Sequence, residues 1–265
     1  MPEARRTSRP RPSLSSRQRP SRPRLARIRA EQARAQRARH RRVRAAVTAA
    51  VLAAAAAVIA VTLAVTTAGA AGPRVSALGT LGQLAPAPPP GTDGAEAVPV
   101  PTAAPLAGTA LAATGNPVDM IGCQSGEQTV FHIHAHLTIM VNGQARQVPA
   151  GIGIPGAQAQ QTPDGPFDGT GRCFYWLHTH APDGIIHIES PVHRIYTLGE
   201  FFDEWGQPLG PARVGPATGH VTALYNGQVY QGDPRGIPLD AHAQIQLEVG
   251  TPLVAPETIS FPPGL

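Results

Sequence analysis

The histidines are the residues of this chain best suited to chemistry, since nine of the ten lie after residue 130. Six of these nine fall in two short segments, and the second segment also contains a glutamate. Neutral imidazole is a preferred protein ligand of zinc and copper, and a carboxylate can complete such a site. The candidate metal ligands are therefore His132, His134, His136, His178, His180, His187 and Glu189.

The first three histidines alternate with apolar residues along residues 132–141, which predicts a β-strand. The histidines would share one face, and Ile133 and Leu137 would share the other. Neighbouring histidines on that face would be ~7 Å apart at the backbone, whereas His132 and His136 would be ~13 Å apart. The outer two cannot easily share one ion, so further ligands must come from another part of the chain.

Residues 173–189 predict a second hairpin around a Pro-Asp-Gly turn signal. A two-residue turn would place His180 opposite His187 and His178 opposite Glu189. A four-residue loop would instead place His178 opposite His187, and a three-residue loop would separate the set. Two of the three registers thus bring imidazoles together, and three such ligands with an open position form the catalytic zinc pattern.

A metal is not the only use for clustered histidines. A hydrogen-bonded network could order a polar face or respond to pH. The isolated His193, His220 and His242 are interpreted as ordinary surface or core residues. Met140, on the histidine face of the strand, would suit Cu(I), although methionine in a sheet usually serves packing.

The only two cysteines, Cys123 and Cys173, are predicted to form a disulfide, provided that the domain lies in an oxidising compartment. Such a bridge would close a loop of ~50 residues and contribute ~4 kcal/mol on the chain-entropy model. A metal thiolate pair and two unpaired buried thiols are the alternatives.

The N-terminal part predicts a membrane anchor. Residues 1–44 contain 16 of the 22 arginines and two acids, and residues 45–71 contain no charged residue. The apolar run of ~20 residues can cross a bilayer core, and the arginines on its N-terminal side place residues 1–44 in the cytoplasm and the remainder outside. The alternative is a cleaved signal peptide with Ala68-Gly69-Ala70 as its cleavage site.

The arginine-rich tail is interpreted as a disordered determinant of topology with some attraction to acidic lipid. It lacks aromatic residues for base stacking and any folded motif, so no nucleic-acid partner is expected. Residues 72–117 are rich in Ala, Pro, Gly and Thr and predict a semi-extended linker. Residues 118–265 are then the folded domain, roughly 150 residues, which suits one hydrophobic core.

The domain is expected to be α+β and mostly β, with a compact antiparallel or mixed sheet and one short amphipathic helix at residues 198–205. Thr197 and Glu200 form a capping box, apolar residues recur at helical spacing, and Gly206 ends the helix. Hairpin, helix and further strands follow in the order of a β-grasp sheet, with the second hairpin as an insertion.

The remaining strands are predicted from alternation and from two Asn-Gly turn signals. The first turn, Asn142-Gly143, leads into a return strand at residues 145–154. A later strand at residues 220–225 precedes the second turn, Asn226-Gly227, and residues 244–249 form the last strand.

Several motifs resemble those of a widespread family of uncharacterised prokaryotic membrane-anchored extracytoplasmic His-rich domains. They are HxHxHL at 132–137, NG at 142–143, PAxIGI at 149–154, LHTH at 177–180, GxxHxESP at 184–191 and TLGxFFxxWG at 197–206. The resemblance spans most of residues 120–250. It implies the topology and the domain limits, and no particular chemistry.

The sequence favours an extracytoplasmic domain, tethered by a single membrane pass, that binds copper or zinc in metal handling or sensing. One alternative is a zinc-dependent hydrolase or hydratase with Glu189 or Asp183 as general base, although no motif indicates a reaction class. Another is a metal-free module that binds an envelope protein through its histidine and aromatic face. A non-enzymatic role, with the membrane and a transition metal as partners, is therefore the leading hypothesis.

Overall fold

A computed structural model describes residues 72–265, which are mostly β with one α-helix. The helix is α1 (Leu198–Trp205), and short 3-10 turns cover Leu78–Leu81 and Pro234–Gly236. The strands are β1 (Val75–Ser76), β2 (Cys123–Gln124), β3 (Phe131–Val141), β4 (Gln144–Arg146), β5 (Gln160–Thr162), β6 (Gly165–Phe167), β7 (Phe174–Tyr175), β8 (Leu177–His178), β9 (Ile185–Ser190), β10 (Leu209–Gly210), β11 (Arg213–Val214), β12 (Ala217–Thr218), β13 (Val221–Tyr225), β14 (Gln228–Tyr230) and β15 (Gln244–Val249).

The main sheet is mixed and has the strand order β1-β14-β13-β15-β3-β9-β8, with β4 also paired to β3. β3 and β15 run parallel, whereas the other neighbours in this sheet are antiparallel. β3 is long enough, at 11 residues, to pair with β15 along one edge and with both β9 and β4 along the other. It therefore connects the second hairpin, β8 and β9, to the rest of the sheet.

The alternation predicted for β3 is present, but both of its faces are covered. Its apolar side chains, such as Leu137, belong to the hydrophobic core that also contains Phe201 and Trp205 of α1. The opposite face is covered as well, since every residue from His134 to Met140 is buried. His134 and His136 therefore lie inside the protein, whereas His132 is exposed.

Helix α1 begins and ends where the sequence predicts. The Thr197 side chain accepts from the Glu200 backbone N–H, and the Glu200 carboxylate accepts from the Thr197 N–H at 2.8 Å, which completes the capping box. Gly206 closes the helix in the left-handed conformation, with φ 68°. The helix prediction is confirmed.

Both Asn-Gly turns have the backbone that their sequence indicates. Asn142 and Gly143 have φ values of 51° and 74°, and Asn226 and Gly227 have 50° and 74°. These left-handed conformations are those that a two-residue hairpin turn requires. The strands predicted at residues 220–225 and 244–249 correspond to β13 and β15.

Two predicted strands are shorter than expected. The return strand predicted at residues 145–154 contains only β4, because the chain beyond it makes glycine turns. A Cβ on Gly153 would lie 2.2 Å from the Leu177 carbonyl oxygen, and its φ is 70°, a conformation that favours glycine. The strand predicted at residues 173–180 is interrupted at Trp176, which separates β7 from β8.

Residues 72–117 differ from the separate linker that their composition predicts. β1 pairs with β14 at the edge of the main sheet. Val98 is fully buried and Leu106 is largely buried, and the Trp205 indole donates a hydrogen bond to the Gly108 carbonyl. The segment lies against the folded domain through scattered contacts that leave no periodic pattern in its sequence.

Within residues 72–265 no helix is both long and apolar enough to span a bilayer. The predicted cytoplasmic tail at residues 1–44 and the predicted transmembrane helix at residues 45–71 lie outside the described residues.

Candidate metal site

The register of three adjacent strands brings the clustered histidines together. On β3 and β9, His134 lies opposite His187 and His132 lies opposite Glu189. On β8 and β9, His178 lies opposite His187, which is the register expected for a four-residue loop. Because residues directly opposite each other project from the same face, one row of imidazoles crosses three strands.

The first ligand set consists of His132, His134, His187 and Glu189. The His134 Nε2 atom lies 3.1 Å from His132 Nε2 and 3.1 Å from His187 Nδ1. The Glu189 Oε1 atom lies 3.0 Å from His132 Nε2 and 3.5 Å from His187 Nδ1. These four groups could hold a metal ion, since their ligand atoms all lie within 4.8 Å of one another.

Two ring nitrogens lie within hydrogen-bond distance of His134 Nε2. An imidazole nitrogen carries either one N–H or one lone pair. The two ring nitrogens at 3.1 Å therefore cannot both form good hydrogen bonds with this atom. The three nitrogens could hold one metal ion in place of these contacts.

His178 and His180 share a possible metal-binding group with His187, and His178 shares another with Glu127 and Glu189. We call His178, His180 and Glu127 the second ligand set, because His187 and Glu189 already belong to the first. Backbone carbonyls accept from His178 Nδ1 at 2.9 Å and from His180 Nδ1 at 2.8 Å. Because a carbonyl oxygen can only accept, each Nδ1 carries the proton and each Nε2 presents a lone pair. The His180 Nε2 atom lies 3.5 Å from Glu127 Oε1. Proteins commonly orient a metal-binding histidine by a hydrogen bond to the ring nitrogen that does not bind the metal, here Nδ1.

Glu96 orients His187 in the same manner. Its Oε1 atom lies 2.7 Å from His187 Nε2, and both side chains are buried. With Nε2 donating to this carboxylate, Nδ1 is the nitrogen that faces the first ligand set. Sequence patterns missed Glu96, because it lies in the segment whose composition predicts a linker.

Burial keeps most of the clustered imidazoles neutral, the form that binds metal. It lowers the pKa of His134 to about 3, with a further contribution from His187 and His132. Burial also lowers the pKa of His178 well below its usual value, and it lowers the pKa of His180.

His187 behaves differently. Burial alone would lower its pKa, but hydrogen bonds to Glu189 and Glu96 outweigh that effect and raise the pKa to about 9. Without a metal, this side chain is therefore the cation between two buried carboxylates.

His136 lies apart from the cluster. Its Nε2 atom donates to the Asp183 carbonyl at 2.9 Å, and it borders a cavity of about 610 Å³ lined partly by residues 87–91. Asp183 accepts from the Ile185 N–H, and burial, with the charge of Glu96, raises its pKa to about 8. Neither residue shares a possible metal-binding group with the other histidines.

The isolated histidines have ordinary surroundings. His193 packs against Phe131 with the two rings tilted, and His242 stacks on Phe261, each with ring centroids 4.4 Å apart. His220 is exposed. None of the three belongs to a possible metal-binding group among the described residues.

The predicted disulfide between Cys123 and Cys173 is present, with the two Cα atoms 5.4 Å apart. Next to it, β2 pairs with β7, so the bridge holds the two chain segments that carry Glu127 and His178. Glu127 was also missed by sequence patterns. Its place four residues after Cys123 and five before His132 is the only signal that could have indicated it.

Comparison with known proteins finds no matching family model, no matching curated protein and no matching solved structure. Function is therefore inferred from the geometry and chemistry of the site.

Proposed function

We propose that this chain is a membrane-anchored extracytoplasmic protein that binds a transition-metal ion, zinc or copper, through the first ligand set. Its role would be to handle or sense that metal at the membrane surface. The buried cluster of histidines and glutamates provides ligands of the right type.

The observation that carries the proposal is the spacing of the four ligand atoms. Zinc binds imidazole nitrogen and carboxylate oxygen at about 2.0–2.1 Å, so a tetrahedron of such ligands has edges of roughly 3.3 Å. Four of the six distances between the ligand atoms of the first set are 3.0, 3.1, 3.1 and 3.5 Å. Their agreement with tetrahedral edges supports one ion at the centre.

The ligand types restrict the metal and the role. Three imidazoles and one carboxylate suit zinc or copper(II), whereas magnesium and calcium prefer oxygen ligands throughout. Four protein ligands also complete a tetrahedron, which is typical of sites that hold a metal without catalysis. The proposal therefore favours binding over the hydrolase alternative.

Two features support the extracytoplasmic location. Both cysteines of the chain are paired, and disulfides persist mainly in oxidising compartments. The arginine-rich residues 1–44 directly precede the uncharged residues 45–71, an arrangement that favours a cytoplasmic N-terminus and an exported C-terminal part.

We also infer a β-grasp-like architecture. The hairpin β3–β4 comes first along the chain, and β3 pairs in parallel with the last strand, β15. Helix α1 follows, and β13 and β14 complete the sheet on the far side of β15. The second hairpin is then an insertion that supplies four of the seven side chains of the two ligand sets, from β8, β9 and the intervening loop.

Metal titration of the full-length protein, purified without a histidine tag and freed of metal, tests the proposal. Wild-type protein is expected to bind zinc or copper in competition with a chromogenic chelator. His134→Gln removes the ligand at the centre of the set, so the affinity should fall more than the 10–100-fold typical of an outer partner. His220→Gln alters an exposed histidine outside the set and should bind as the wild type does.

An unchanged affinity in His134→Gln would overturn the proposal. The short distances around this side chain would then belong to a metal-free hydrogen-bonded network.

Glu96 provides a second prediction, because it orients His187 without entering the ligand set. Replacing it with alanine is expected to weaken zinc binding by 10–100-fold, the usual cost of losing such a partner. Competition titration measures the effect. Asp93→Asn changes an exposed acid of the same segment and should leave the affinity within a factor of two or so. Equal affinities for the two variants would show that Glu96 does not orient the ligand.

A further inference from the structure

We infer that the site holds two metal ions, with the Glu189 carboxylate bridging them and the second ligand set binding the second ion. This inference rests on the proposed function, because the first ion occupies the first ligand set. It adds a second position, formed by His178, His180, Glu127 and the other oxygen of Glu189.

The two oxygens of Glu189 face different partners. Oε1 lies 3.0 Å from His132 Nε2, within the first ligand set. Oε2 points the other way, 4.0 Å from His178 Nε2. Oε2 is buried and has no hydrogen-bond partner, so the hydrogen bonds of the protein leave half of this carboxylate unused.

His178 faces that oxygen with an unused lone pair. The side chain is fully buried, its Nδ1 atom carries the proton for the Tyr175 carbonyl, and its Nε2 atom has no partner. Two acceptors thus face each other, and neither can donate to the other. Their separation of 4.0 Å exceeds the tetrahedral edge of roughly 3.3 Å, so binding an ion about 2.0 Å from each requires the two atoms to approach by about 0.7 Å.

His180 and Glu127 complete the second position. The ligand atoms of Glu127, His178 and Glu189 lie within 4.8 Å of one another, and His180 Nε2 lies 3.5 Å from Glu127 Oε1. The Glu127 side chain is 38% exposed, and the His132 side chain of the first position is exposed to the same extent. Each position therefore has one ligand that solvent can reach.

Counting the ions bound by the untagged full-length protein tests this inference. After titration with zinc and removal of free metal, elemental analysis should give two ions per chain in the wild type. Glu127→Gln and His180→Gln each remove a ligand of the second position only, so both should bind one ion with the affinity of the first position retained. The exposed-site control His220→Gln should still bind two.

A second measurement locates the ions relative to each other. The ions of two-metal sites are typically about 3.5–4 Å apart. Two Cu²⁺ ions at that distance should give the spin-coupled spectrum of a pair in electron paramagnetic resonance. Glu127→Gln, loaded with the same ion, should give the spectrum of an isolated centre.

The outcomes separate this inference from the proposed function. One ion per wild-type chain, unaffected by Glu127→Gln and His180→Gln, would overturn the second position and leave the first in place. Two magnetically isolated ions would likewise overturn the bridge. No bound ion would remove both proposals.

Discussion

Replacing Cys123 and Cys173 together with serine is expected to lower the free energy of unfolding by about 4 kcal/mol. The disulfide joins residues 50 positions apart, and a closed loop of that size restricts the unfolded chain by about that amount on the chain-entropy model. Chemical denaturation of the oxidised wild type, the reduced wild type and the double variant measures it. The reduced wild type and the double variant should have the same free energy of unfolding.

The position of the bridge gives this prediction a functional part. The disulfide lies beside the β2–β7 pairing, and the Tyr175 carbonyl at the end of β7 orients His178. The double variant should therefore lose metal at the second ligand set before the first. Ser125→Ala, an exposed change two residues from Cys123, is the control. A loss of stability under about 1 kcal/mol, the scale of an ordinary substitution, would contradict the prediction.

Glu204→Met is expected to raise the free energy of unfolding by about 3 kcal/mol at neutral pH. Glu204 is fully buried on α1, and neither of its carboxylate oxygens has a hydrogen-bond partner. Unpaired buried polar atoms cost about 1–3 kcal/mol each, and charged ones cost more. Methionine keeps the length and helix propensity of the side chain without the polar atoms.

The effect of Glu204 depends on pH in a defined direction. Burial, and then the charges of Glu200 and Asp119, raise its pKa well above the usual 4.5. The folded state therefore binds a proton that the unfolded state releases, and stability falls as pH rises above 4.5. The advantage of Glu204→Met over wild type should be small at pH 4 and grow toward pH 8.

Denaturation curves for both proteins across that pH range measure the difference directly, since the contributions of other groups cancel. Asp164→Asn, which changes an exposed acid, should show no such trend. A difference independent of pH would indicate that the Glu204 carboxylate has the same pKa in the folded and the unfolded protein.

The parts of the fold that could be predicted are those specified by local sequence. The capping box fixes α1, and the Asn142-Gly143 and Asn226-Gly227 turns fix two hairpins because their residues tolerate left-handed backbone. Strict alternation along β3 placed three histidines on one face. Such signals require only neighbouring residues, so a single sequence contains them.

The parts that could not be predicted depend on contacts between distant residues. Which histidines meet depends on the loop between β8 and β9, and the sequence allowed three registers. His136 lies outside the cluster because its Nε2 atom donates to the Asp183 carbonyl. No side-chain pattern indicates such a backbone partner. Glu96 contacts His187 although 91 positions separate them in the sequence. It lies in a segment whose composition does not predict a fixed structure.

The path of residues 72–117 also determines the smallest fragment of this protein that can be studied. A truncation that begins after residue 117 would delete Glu96 and β1, and so leave one edge of β14 uncovered. Unpaired N–H and C=O groups on such an edge readily join another chain, and His187 would lose the partner that orients it. Fragments cut there are expected to self-associate and to bind metal weakly, as a result of the truncation.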